Sequence, residues 1–339
     1  MLADSAAVLI LVGLTAYVVL GGADFGAGFW DLTAGSAERG APVRAMVKRA
    51  MAPVWEANHV WLIFVLVVLW TAFPKAFGSI TSTLAIPLFV AALGIVLRGG
   101  AFALKGEAAT IAEARALGAA FALASVLVPF FLGAAVGAIA AGEVPVGNAA
   151  GDELRSWTGT TSIVVGLLAV ATGAHVAAVF LGADSRRAGR PELVRAFRAR
   201  ALGSGVVAGV LAIAGLLAVR SDVPDLYDGL TSGAGLACVA VSGAAGLATL
   251  ALEWRERFEV ARYTAATAVG AIVAGWAVAQ QPYMLPPELT VRAAAANDST
   301  LVALLVSAAL GMAILIPALT WLFRLAVSGR LAYEEQPRP

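Results

Sequence analysis

Residues 6–30 read AAVLILVGLTAYVVLGGADFGAGFW. A helix crosses the hydrocarbon core of a bilayer in about 20 residues, so this run is long enough to span it. It shows no period-2 alternation, which argues against a strand of a membrane barrel. A helix satisfies its own backbone hydrogen bonds in lipid, and blocks of Ala, Val, Leu and Gly suit one. Working outward, the same texture recurs along the chain. Spans are expected at about residues 6–30, 54–73, 78–103, 116–141, 157–182, 201–219, 230–252, 261–280 and 299–326. The composition agrees: 60% of the 339 residues are hydrophobic and 13% charged. Soluble domains carry about 25% charged residues.

Short polar connections join the spans, with turn residues at Gly40 and Pro42, Phe73-Pro74, Pro145, Gly189 to Pro191, Pro224 and Gln281 to Pro287. With the amino terminus outside, 19 of the 23 Lys and Arg fall on the inner side. Only Lys75, Arg155, Arg220 and Arg292 fall outside. That split is a positive-inside signal, and adding or removing one span would scramble it. Only Asp4 is charged ahead of the first apolar run, so that run reads as a retained span and not a cleaved signal. The expected architecture is an all-α integral membrane protein of about nine transmembrane helices. They would form two four-helix bundles plus one extra helix, in a single polytopic domain over residues 1–339. The net charge of +1 gives no argument for nucleic acid. The single cysteine, Cys238, excludes an internal disulfide and a cysteine-built metal cluster.

Ionisable groups inside spans are costly and usually have a role or a partner. Asp24 sits among glycines in Gly21-Gly22-Ala23-Asp24-Phe25-Gly26-Ala27-Gly28, which reads either as a packing motif with an arginine-paired aspartate or as a proton-handling carboxylate. Pro53-Val54-Trp55-Glu56-Ala57-Asn58-His59-Val60-Trp61-Leu62 opens the second span; Trp55, Asn58 and His59 share one face there. It reads as an interfacial belt or as a buried polar path. Arg98, near the inner end of the third span, either snorkels to the surface or pairs with Asp24 or Glu56. His175, within the fifth span, reads as a hydrogen-bonded polar residue or an axial haem ligand. Asn297-Asp298-Ser299-Thr300 reads as a helix cap, with Asp298 or Ser299 as the capping residue. Two histidines in all, and no CxxC, CxxCH, P-loop or HExxH, leave the chain without a catalytic centre of its own.

Those segments, with Thr71-Ala72-Phe73-Pro74, Leu97-Arg98-Gly99-Gly100-Ala101-Phe102 and Gln281 to Pro287, resemble subunit II of the cytochrome bd-type quinol oxidases. The matches run in family order over nearly the whole chain; between about 140 and 260 they are matches of span layout more than of letters. The resemblance implies a bacterial cytoplasmic-membrane enzyme that oxidises quinol and reduces dioxygen to water. It implies a partner subunit I carrying haem b, haem d and the quinol site, with no haem ligated by this chain. It also implies contact with membrane lipid, and in some members a structural quinone in this subunit or small accessory subunits. By position, Asp24, Glu56, Asn58, His59 and Arg98 are expected on a proton path, and Trp55 and Trp61 on an oxygen path or subunit interface. The competing readings are a proton-coupled secondary transporter, a quinone-interacting anchor of another redox complex, and an assembly scaffold whose polar residues only pack.

Overall fold

The computed structural model describes residues 1–51, 55–104 and 110–327. Pro53 and Val54 of the polar block, and Lys105, Arg330 and Arg338 of the charge pattern, lie outside those residues. Among the described residues nine helices are long and apolar enough to cross a membrane. They are α1 (Leu2–Leu32), α2 (Trp55–Ala72), α3 (Ala85–Leu104), α4 (Ala112–Ala140), α5 (Thr160–Arg187), α6 (Pro191–Asp222), α7 (Gly233–Trp254), α8 (Phe258–Gln280) and α9 (Asp298–Leu325).

Several expected boundaries move, each for a local reason. The third span does not begin at 78. Pro74–Thr83 is a separate short helix, the chain kinks at Leu84, and α3 starts at Ala85. Pro87 has no N–H for the Thr83 carbonyl, so one helix cannot run through. The hydroxyls of Ser79, Thr81 and Ser82 instead return to carbonyls one turn back, on Lys75, Phe77 and Gly78. Ser79 and Ser82 also accept from the N–H groups of Gly147 and Ala149, strapping the α4–α5 loop onto this helix.

Gly40 and Pro42, expected in a turn, lie within a helix, Ala37–Met51. Val43, Met46, Val47 and Met51 of that helix are buried at helical spacing, so its apolar stripe holds it against the bundle. Helices α5 and α6 outrun the expected 182 and 201 because hydropathy marks the lipid-facing run, not the end of the helix. Beyond that run Leu193, Val194, Phe197 and Ala201 still bury one face of α6. The cap of α9 is Asn297, whose Oδ1 accepts from the Thr300 N–H at 2.9 Å, and not Asp298 or Ser299. The expected turn at Gln281 to Pro287 contains the first strand of a two-stranded antiparallel hairpin, Tyr283–Leu285 with Leu289–Thr290.

Helix α5 is the hub, in contact with α1, α4, α6 and α8. Its approach to α1 depends on glycine. A Cβ on Gly26 would overlap the Gly173 carbonyl, and a Cβ on Gly173 would come within 3.0 Å of the Gly22 carbonyl oxygen. The two backbones therefore touch, the packing that small residues permit in membranes. Just before this contact α1 passes through a π-helical turn, Tyr17–Gly21. A Cβ at Gly21 would meet the Tyr17 ring at 2.8 Å, so the glycine lets that ring lie along the helix.

Candidate functional site

Two apolar clusters occupy the ends of the bundle. One gathers Trp30, Met46, Leu181, Phe197 and Phe258 at the arginine-rich end. The other gathers Ala6, Phe73, Leu84, Leu285 and Leu301 at the amino-terminal end. Between them lies a buried polar centre.

Arg98 of α3 is 1% exposed and Asp24 of α1 is 3% exposed, so the arginine does not snorkel. Its Nη1 donates to Asp24 Oδ2 at 3.2 Å and its Nη2 to the Asp24 main-chain oxygen at 2.8 Å. Its Nε donates to Ser125 Oγ of α4 at 3.0 Å, and Ser125 donates in turn to the Phe121 carbonyl at 2.7 Å. The guanidinium also lies over the Phe25 and Phe121 rings, 4.6 and 4.9 Å from their centroids. Gly28 leaves the space for Ser125, since a Cβ there would overlap its hydroxyl. Three helices thus fix one cation, and the glycines around Asp24 serve both the helix contact and the ion pair.

Asn58 of α2 is buried, and its Oδ1 has no hydrogen-bond partner among the described residues. With Asp24 it lines a cavity of about 80 Å³ that extends to Ala177, Leu181 and Asp184 of α5. A water needs roughly 10–15 Å³ of such space, so a few fit, and the amide and carboxylates supply polar partners. Asp184 accepts from Arg187 at 2.6 Å. Arg187 also binds Glu259 of α8 through Nε at 2.8 Å and Nη2 at 3.2 Å. The cavity therefore joins the buried pair to a partly exposed ionic network.

His59 packs its ring against Tyr17 and Phe25, at centroid distances of 6.1 and 5.8 Å. Its Nδ1, the Tyr17 hydroxyl and the Trp61 Nε1 are buried without a hydrogen-bond partner among the described residues. Trp61 lies edge-on to Phe64, and Trp55 packs on Phe102 with Gly99 beneath it. Glu56 is exposed and takes no part in the Asp24–Arg98 pair. The structure thus brings together Asp24, Arg98 and Asn58, sets His59 beside them, and leaves Glu56 on the outer face of α2.

Sequence reasoning missed Ser125 and Asp184. Ser125 carries no signal in an apolar helix. Asp184 did carry one: a carboxylate in the last turn of a helix opposes the macrodipole and calls for a cation.

A haem does not fit at His175. His175 has Nδ1 against the Ala201 carbonyl at 3.1 Å, and its Nε2 is blocked by Glu253 Oε1 at 3.5 Å. Nor does the 80 Å³ cavity beside Asp24 have the several hundred Å³ that a ligand pocket needs. Among the described residues, no three His, Cys, Asp or Glu are grouped to hold a metal ion.

Fold and site define a multi-pass helical membrane protein built around a buried carboxylate–guanidinium pair. The chain belongs to the cytochrome bd terminal oxidase subunit II family, whose model matches residues 2–326. It is similar to the cytochrome bd ubiquinol oxidase subunit 2 of Bacillus subtilis (strain 168), 28% identical over 126 residues. That stretch covers 37% of this chain and 36% of the relative's length. It is also similar to a chain in the structure of the bd oxidase from Geobacillus thermodenitrificans, with a TM-score of 0.81 and 26% identity. This match covers 96% of the chain and 98% of the solved one.

Proposed function

We propose that this chain is subunit II of a respiratory terminal oxidase that oxidises membrane quinol and reduces dioxygen to water, and that it delivers protons to a haem-bearing subunit I. Haem b and haem d, held by that partner, supply the oxygen chemistry. In this reading residues 1–339 form one polytopic domain in a bacterial cytoplasmic membrane, of two four-helix groups plus one extra helix. The amino terminus faces out and the carboxyl terminus the cytoplasm. The 19-to-4 division of basic residues supports that orientation, which makes the arginine-rich end cytoplasmic.

The observation that carries the proposal is the cavity linking Asp184 to Asp24. Protons enter from the cytoplasmic ionic network and cross the cavity on water. Asp24 accepts one at the end beside Arg98. From Asp24 the proton passes on toward subunit I. Asn58, His59 and Tyr17 lie beside the pair and continue a polar line toward α2. Glu56, on the exposed face of α2, adds a surface carboxylate at the same end. Trp55, half-buried, and Trp61, buried beside Tyr17 and Phe25, are assigned to the oxygen path or to the interface with subunit I.

The test is single-turnover proton uptake by the assembled complex carrying Asp184→Asn. Slowed uptake with a normal haem spectrum supports the reading; uptake at the wild-type rate removes the cavity from the path.

A further inference from the structure

A second buried ionisable pair lies across α5 from the Asp24 cavity, and the proton path makes no use of it. Glu253, at the last turn of α7, is fully buried. Its Oε1 faces His175 Nε2 at 3.5 Å; apart from that contact, neither carboxyl oxygen has a hydrogen-bond partner among the described residues. The imidazole is fixed on its other side by the Ala201 carbonyl, 3.1 Å from Nδ1. Gly205 leaves room for the ring, since a Cβ there would come within 2.8 Å of His175 Cε1.

This geometry sets the proton count. A carbonyl oxygen only accepts, so Nδ1 carries a hydrogen. In the neutral ring Nε2 is then a bare lone pair, pointed at a carboxyl group. An ionised Glu253 would face that lone pair with no donor, in a fully buried position. Such an unpaired buried charge is strongly disfavoured. The strain disappears when one more proton lies between Nε2 and Oε1, giving either a carboxylic acid donating to imidazole or an imidazolium donating to carboxylate.

Several other charged groups on the surrounding helices have partners elsewhere. Asp184 of α5 pairs with Arg187, and Arg187 and Arg262 bind Glu259 of α8. Arg198 of α6 binds Glu256 and lies over the Trp254 ring, and Arg200 lies over Trp30 and Phe197. Arg186 donates to the Glu256 carbonyl.

We propose that His175 and Glu253 form a buried one-proton site, holding a single exchangeable proton between Nε2 and Oε1 in addition to the fixed Nδ1–H. No electron or other reactant is needed. The site holds its proton at rest, because release would leave a buried, unpaired negative charge between α5 and α7. It lies on a different face of α5 from Asp184, so one helix carries both the cavity and a separate proton store.

Infrared spectra of the intact, resting complex in H2O and D2O test this without turnover. Wild type should show a deuterium-sensitive band of a protonated carboxyl or of an imidazolium. Glu253→Gln should lose that band yet assemble, because its amide can donate to Nε2 as the acid does. His175→Gln should shift or abolish the same band, and it decides the matter if Glu253→Gln fails to assemble. If neither variant changes any protonated-carboxyl or imidazolium band, the proposal is overturned. The same holds if Glu253→Gln removes only the signal of an ionised carboxylate.

Discussion

Arg98 on α3 holds Asp24 on α1 twice over, by the carboxylate at 3.2 Å and by the main-chain oxygen at 2.8 Å. The second bond is independent of the aspartate's protonation. Arg98 would therefore stay in place if the carboxyl took up a proton, as the proposed path requires.

Asp24→Asn leaves a fully buried guanidinium without an opposite charge. Removing one partner of a buried pair costs about 3–5 kcal/mol, so this variant should assemble poorly. Asp24→Asn with Arg98→Gln removes both charges and should recover much of that loss. Comparing the thermal stability of the single and double variants measures the pair directly.

Gly26→Leu should abolish assembly, because its side chain meets the α5 backbone at Gly173 and not a movable side chain. Gly28→Ala is milder. It pushes on Ser125, and the expected outcome is an assembled complex with a loosened Arg98 and slower turnover. Accumulation in the membrane and turnover per haem separate the two effects.

Asp184→Asn should change stability by less than about 1 kcal/mol, since the Asp184–Arg187 pair is partly exposed. Turnover should nevertheless fall roughly ten- to a hundredfold, the scale on which a positioned proton-transfer group acts. Glu56→Gln should have a smaller effect than Asp184→Asn, because Glu56 lies outside the buried pair. Wild-type turnover and charge separation in Glu56→Gln would remove that residue from the path.

Asp152, in the loop before α5, accepts from the backbone N–H groups of Arg155 and Leu154 at 2.8 and 2.9 Å. These bonds hold its carboxyl below the usual range. A depressed carboxyl orders the loop fully above the ordinary carboxylate range, and that order is lost as pH falls through the lowered value. Hydrogen exchange at Leu154 and Arg155 should therefore quicken on acidification, and Asp152→Ala should show the fast rates at neutral pH.

The spans were legible in the sequence, and the pairing of Asp24 with an arginine was one of the two readings it offered. Membrane helices are marked by long apolar runs, and a lone aspartate among glycines in such a run needs a cation. Sequence left Arg98 either at the surface or paired with Asp24 or Glu56, and the choice depended on which helix lies beside α1. The break at Leu84 was harder to see, because hydropathy does not register the missing N–H of Pro87. Ser125 and the His175–Glu253 contact were not legible, since each joins residues on different helices with no spacing rule between them. Asp184 was obscured by the arginines around it, which mark the loop as basic and hide the one carboxylate that faces inward.

The central claim is that protons reach Asp24 through the cavity from Asp184. The most direct test follows single-turnover proton uptake in liposomes. It compares the wild-type complex with assembled complexes carrying Asp184→Asn and the charge-neutral pair Asp24→Asn with Arg98→Gln. The account predicts that both variants keep their haem spectra and lose most of the fast uptake. Uptake at the wild-type rate in both would contradict it and place the proton path outside this chain.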